Sequence, residues 1–175
     1  MIALLTVPVN NAVRQDHLMQ ITAKSDYAIR AMCVLAVAQE DTVVKAAGIA
    51  EAQDIPRTFL DGILVQLRRG GMVASRRGPD GGHRLARPAW SITLADVVRV
   101  IDGPLAMING QRPEALVHPG AAAHLPDVWV ALRAAVRGIL EETTLEHVVT
   151  GHLPAAVTAL AIDHRAWTSV WPPPE

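Results

Sequence analysis

The sequence predicts a mainly helical chain carrying one small β-hairpin. Half of its 175 residues are hydrophobic, yet only 3 % are aromatic. The apolar share therefore comes from Ala, Val, Leu and Ile, which favours helices whose interfaces are filled by small and medium side chains. Several stretches place those residues at helical spacing. One run, Arg76-Arg77-Gly78-Pro79-Asp80-Gly81-Gly82-His83-Arg84-Leu85, reads instead as a tight turn between two short strands. Gly tolerates positive φ there, and Pro holds its own φ near the value that a turn's second position wants. The length suits one good core, or one domain plus an extension.

Residues 1–18 show neither a helical nor a strand period and read as a flexible N-terminal extension. From Thr22, a plausible N-cap, to about Ala38, the positions Tyr27, Ala31, Val34, Leu35 and Ala38 fall on one helical face. A second helix, about Lys45 to Gln53, offers Ala46, Ile49 and Ala50 to the core. Asp54 then takes the bend, since Asp tolerates the left-handed conformation that a tight helix-to-helix turn can require. Pro56 suits a first helical position, and the helix it opens runs to about Arg69 with Leu60, Ile63, Leu64 and Leu67 inward. Thr58, Asp61, Gly62, Val65 and Arg69 are left facing outward or to the flanks. Met72 to Arg77 and His83 to Arg87 would be the hairpin strands. Two short helices, a turn, then strand-turn-strand is the order of a winged helix-turn-helix domain, expected over residues 19–88.

Beyond Pro88 the expectation is a linker helix and a dimerisation helix over 89–150. Thr93 and Asp96 resemble a capping box, Leu94, Val97, Val98 and Ile101 form a stripe, and Gly103-Pro104 stops the helix. Leu105 to Leu125 reads as an irregular connection. A long helix follows from about Pro126 to Glu142. Its apolar positions Val128, Trp129, Leu132, Ala135, Val136, Ile139 and Leu140 cover more than one narrow stripe, which dimerisation would explain economically. Thr143 with Glu146 restarts a short helix through Val149, and the tail over 151–175, ending in Trp171-Pro172-Pro173-Pro174, reads as extended or loose.

Charge is concentrated although the formal net charge is only −1. Arg68, Arg69, Arg76, Arg77, Arg84 and Arg87 lie close in sequence with Asp80 alone opposing them. A basic hairpin behind an amphipathic helix suits phosphate neutralisation, with hairpin arginines held on a rigid mount. A phosphate-cradling loop is the competing reading of the glycine run, but no Gly-Lys-Ser/Thr follows it. No paired acid and base, and no nucleophile with a credible partner, stands out, so no catalysis is expected.

Cys33 is the only cysteine, so no intramolecular disulfide or cysteine-based metal site can form within one subunit. Its apolar neighbours favour a small buried hydrophobe over a redox thiol. Histidines 118, 124, 147, 152 and 164 fit no known ligand spacing; any ligand set would draw on His118 and His124. Trp129, Trp167 and Trp171 read as packing residues. No apolar run reaches the roughly 18 residues of a membrane span, and the N-terminus lacks the order of a secretory signal, so a cytoplasmic protein is expected.

The motif order Lys24-x-x-Tyr27-Ala28, Ile49-Ala50-Glu51, Leu60, Leu67-Arg68, Gly71-Met72-Val73 and Arg77-Gly78-Pro79-x-Gly81-Gly82-x-Arg84-Leu85-Ala86 resembles the Rrf-two family of bacterial regulators. Ile92-Thr93-Leu94-x-Asp96-Val97-Val98 and Asp102-Gly103-Pro104-Leu105 continue the match, which spans about Met19 to Val149. Met19 would then be the family's usual start.

The resemblance implies a mainly α fold with a small β-wing and a long dimerisation helix. It further implies a homodimeric DNA-binding transcriptional regulator, most simply a repressor, acting on an inverted-repeat operator. Its partners would be double-stranded DNA, a second copy of the chain and a small-molecule or protein effector, with no membrane. The expected DNA-contacting residues are Lys24, Tyr27, Arg57, Thr58, Asp61, Arg69, Arg76, Arg77, His83 and Arg84. Arg77 matches the family's wing arginine, which by analogy enters a narrow minor groove.

Two departures qualify the match. Iron-sulfur members carry three cysteines after the Gly-Pro-Leu motif, where this chain has none, so neither that cluster nor any other cofactor is expected. Gly62 stands where many relatives present a long base-reading side chain, leaving readout to Arg57, Thr58 and Asp61 or to DNA shape. These departures motivate an alternative: a winged-helix protein-interaction module that regulates a partner with little DNA readout.

Overall fold

The computed structural model describes residues 21–38 and 42–168; the N-terminal extension and Trp171-Pro174 lie outside them. Helix α1, Ala23–Ala36, starts at Thr22, whose hydroxyl accepts the Ser25 N–H at 3.1 Å. Its buried side is Ser25, Ala28, Ala31, Met32 and Leu35. Tyr27 and Val34, expected on that face, lie half-buried at its edge. The cause is tertiary: α1 packs among four other helices and the second wing strand, so the seam follows its neighbours rather than its largest side chains.

Helix α2, Ala46–Gln53, ends at Asp54, whose φ of 50° and ψ of 48° are the left-handed bend the sequence calls for. Helix α3, Arg57–Arg69, buries Leu60, Ile63, Leu64 and Leu67, the stripe that periodicity defines. Strands β1, Val73–Arg76, and β2, Gly82–Leu85, pair antiparallel from Val73↔Leu85 to Arg76↔Gly82. Unforeseen from sequence, Val44 bridges His83 on the free edge of β2: the Val44 N–H donates to the His83 carbonyl at 2.8 Å, and the His83 N–H returns at 2.9 Å. The segment ahead of α2 thereby holds β2 near the turn end of the hairpin.

Helix α4, Leu94–Ile101, carries the full Thr93/Asp96 capping box. The connection to the next helix contains short 3-10 turns at Pro113–Ala115 and Gly120–Ala122. Helix α5, Leu125–Glu142, buries no residue within this chain, although five of its seven expected stripe residues are partly covered.

Helix α6, Leu145–Thr150, is capped by Thr144, not Thr143, with His147 rather than Glu146 closing the box. Thr143 is drawn away because its carbonyl accepts the Leu94 N–H at 2.8 Å and its hydroxyl donates to the Ile139 carbonyl at 2.7 Å. The pairing of Ile92–Leu94 with Thr143–Leu145 returns the chain to α1, and fully buried Leu145, Ile92 and Val97 join the same core as α1, α2 and α3.

The tail departs from its expected looseness. Ala155–Ile162 forms helix α7, followed by a 3-10 turn at His164–Trp167. Its eight consecutive residues include neither Gly nor Pro and four are alanine, the best helix former. Trp167 is not a packing residue within the chain: it is 77 % exposed, with its indole N–H donated to the Ala161 carbonyl at 2.6 Å. Nothing of the core lies beneath it.

Candidate nucleic-acid interface

The third helix and the hairpin both expose arginines. Arg57 and Thr58 open α3, both exposed, and Arg68 and Arg69 close it. The Arg57 guanidinium donates to Asp61 one turn on at 3.0 Å, a pair exposed on both sides and therefore weak enough to reopen. Arg69 is exposed on the last turn.

Strand alternation and register divide the hairpin into two faces. Ser75 lies opposite His83, and the His83 Nδ1 is 3.0 Å from the Ser75 hydroxyl. Burial pushes the His83 pKa below the ordinary histidine value; the Asp61 carboxylate pulls it back up, while Arg57 and Arg68 press it down. His83 thus feels the charges on the Arg57–Asp61–Arg68 flank of α3, while the elements packed on the hairpin are α1 against β2 and α3 against β1.

Arg76 and Arg84 alternate with His83 and stand on the other face of the ribbon. Arg84 donates to the neighbouring Leu85 carbonyl at 3.3 Å. Arg77 sits in the connecting loop, fully on the surface, where Gly78 takes a φ of 105° that a side chain would resist. Arg87, part of the sequence cluster, instead lies 3.8 Å from Asp96 on α4.

Lys24 and Tyr27 are half-buried on α1. The Tyr27 ring lies 6.3 Å from that of Phe59, and the Arg30 guanidinium sits 5.5 Å from the Tyr27 centroid. Thus His83 lies within electrostatic reach of α3, Arg77 stands exposed in the loop, and Arg76 and Arg84 occupy the other face of the ribbon.

Sequence reading missed three contributors. Phe59 is 59 % exposed on α3; its exclusion from the 60-63-64-67 stripe was the available signal. Val44, the bridge partner of β2, carried none. Asp102, just after α4, accepts the Thr22 hydroxyl at 2.8 Å and the Ser25 hydroxyl at 2.7 Å, clasping the start of α1. That contact spans 77 residues or more and has no local signature.

A family model described as "Rrf2: Iron-dependent Transcriptional regulator" matches residues 21–151. The residues present do not fit the iron group that this description implies. The single cysteine, Cys33, is half-buried on α1, with its thiol pKa raised by burial, which opposes thiolate ligation. Among the described residues no three His, Cys, Asp or Glu side chains gather into a metal-holding group, so His118 and His124 are not joined by further ligands there.

A Mycobacterium tuberculosis chain that carries the name of an HTH-type transcriptional regulator is 50 % identical over 151 residues, covering 86 % of this chain and 94 % of its own length. IscR of Cereibacter sphaeroides, named as an HTH-type transcriptional regulator, is 33 % identical over 139 residues, covering 77 % of this chain and 90 % of its own. Among solved structures, the B. subtilis global cysteine regulator CymR superposes with a TM-score of 0.66 at 28 % identity, covering 76 % of this chain and 98 % of that one. Helix-turn-helix order, wing, core stripe and matched length all agree: the chain belongs to the Rrf2 family of transcriptional regulators.

Proposed function

We propose that the protein is a sequence-specific DNA-binding repressor that acts as a homodimer on a two-fold symmetric operator, without an iron-sulfur cluster of its own. The observation that supports this reading is that Arg57, Arg68 and Arg69 on α3 and Arg77 in the wing loop are all exposed, with Asp61 and Asp80 the acidic residues of those two segments. Phosphates attract such a surface, and an exposed helix of this width fits a major groove. Arg77, at the tip, would enter the adjacent minor groove. Lys24, Tyr27 and Thr58 would position the backbone, while His83, Arg76 and Arg84 brace or extend the wing contact.

The second copy is supported by α5, which leaves Val128 and Val130 exposed and has no buried residue. Helix α7 adds exposed Leu160 and Ile162.

Fluorescence anisotropy on duplex selected from the protein's own genome tests the reading. Affinity should fall steeply with salt, because each neutralised phosphate releases condensed counterion. Arg77→Ala should weaken binding by about 1 to 3 kcal/mol. Flat salt dependence together with an unaltered Arg77→Ala protein would defeat the model.

A further inference from the structure

We propose that α3 recognises its operator through thymine methyl groups, with Val65 and Phe59 as specificity-determining side chains and Gly62 as the gap that admits a methyl. The inference rests on the DNA-binding reading above and names the chemistry of its readout.

The inward direction of α3 is set by Leu60, Ile63, Leu64 and Leu67. At about 100° per residue, the side chains farthest from that direction are Thr58, Gly62, Val65 and Arg69. The middle of this outward strip therefore offers a hydroxyl with a methyl, an empty place and an isopropyl group. A Cβ at Gly62 would meet nothing within 4 Å, so the place is open, not filled by a neighbour.

Phe59 flanks the strip on the side of α1, where its ring stands beside Tyr27. Phe59 is 59 % and Val65 37 % exposed, and neither is one of the buried core residues. Two apolar side chains are thus held in water on the surface that carries the arginines. The one carboxylate nearby, Asp61, is engaged by Arg57 on the wing side.

Base edges in the major groove present donors and acceptors, with one apolar exception: the C5-methyl of thymine. Valine and phenylalanine have nothing to give a donor or acceptor edge, and covering one would leave its polar groups unpaired. Against a methyl they remove apolar surface from water on both sides. Absence of a side chain at Gly62 lets the helix backbone come close enough for that contact.

The test begins with the full chain and a random-sequence duplex pool. In the selected duplex each thymine is replaced in turn by deoxyuridine, which deletes the methyl and leaves the pairing edge intact. Anisotropy should show a loss of about fourfold for each contacted methyl, confined to a few positions in each half-site. The loss should disappear at one position in Val65→Ala and at another in Phe59→Ala, both checked for folding by thermal unfolding. Unchanged affinity at every deoxyuridine position overturns the inference. So do penalties that persist undiminished in both variants, since those would come from DNA shape. Failure of any duplex to enrich removes the DNA-binding reading itself, and the inference with it.

Discussion

A Cβ placed on Gly62 meets open space, whereas one placed on Gly82 would come within 2.7 Å of the Val44 carbonyl oxygen. The two glycines therefore respond oppositely to the same substitution. Gly62→Ala should stabilise the fold by about 1 kcal/mol, because α3 gains helix propensity with nothing displaced. Gly82→Ala should destabilise it by roughly 1 to 3 kcal/mol, since backbone cannot yield as a flexible side chain does. Urea unfolding of both variants checks the pair. Asp102 sets a third expectation at this scale. Ser25 is fully buried and donates to that carboxylate, so Asp102→Ala leaves a buried hydroxyl unsatisfied and should cost about 1 to 3 kcal/mol in the same assay.

Between elements, half-buried His83 on β2 and the charges of α3 that act on it make the wing a place where pH dependence is expected. His83 is half-buried beside Ser75; desolvation lowers its pKa below the unfolded value of about 6.5, Asp61 opposes that shift, and Arg57 and Arg68 add to it. Unfolded chains then bind more protons in that window. The contribution of His83 to stability is present above about pH 6.5 and is lost as pH falls through the lower folded pKa. Phosphates brought close to His83 would favour the imidazolium, so complex formation would take up a proton and affinity should rise as pH drops below about 6.5. Anisotropy across a pH series, with His83→Gln as the comparison, should show the rise in the parent alone. A parent profile identical to that of the variant would detach His83 from the interface.

At the scale of the whole molecule, α5 carries apolar surface that the described residues leave uncovered, which is the basis of the proposed dimer. Val128 is 56 % and Val130 43 % exposed on a helix of 18 residues. Sedimentation should find a dimer, and Val128→Glu should shift it toward monomer while near-identical far-ultraviolet dichroism reports an intact reading head. Because phosphate contacts from two heads act together, the monomer should also lose most operator affinity. A monomeric parent would sink this arrangement.

Legibility followed the range of the forces involved. The α3 stripe, the Asp54 bend, the Thr93/Asp96 capping box and the glycine-rich turn are each fixed by a few consecutive residues, and each was readable from them. Clustered arginines likewise pointed to a polyanion without any coordinates. Contacts that cross the chain were not readable: the Val44 bridge to His83, the Asp102 clasp on Thr22 and Ser25, and the Thr143 pairing that moved the α6 cap. Strand register also separated His83 from Arg76 and Arg84, which the expected set of DNA contacts had grouped together. Local propensity and periodicity are properties of neighbouring residues, so the sequence determined the elements and the sign of the surface. Which side chains share a face depends on hydrogen bonds and packing between distant segments, and those only the tertiary structure decides.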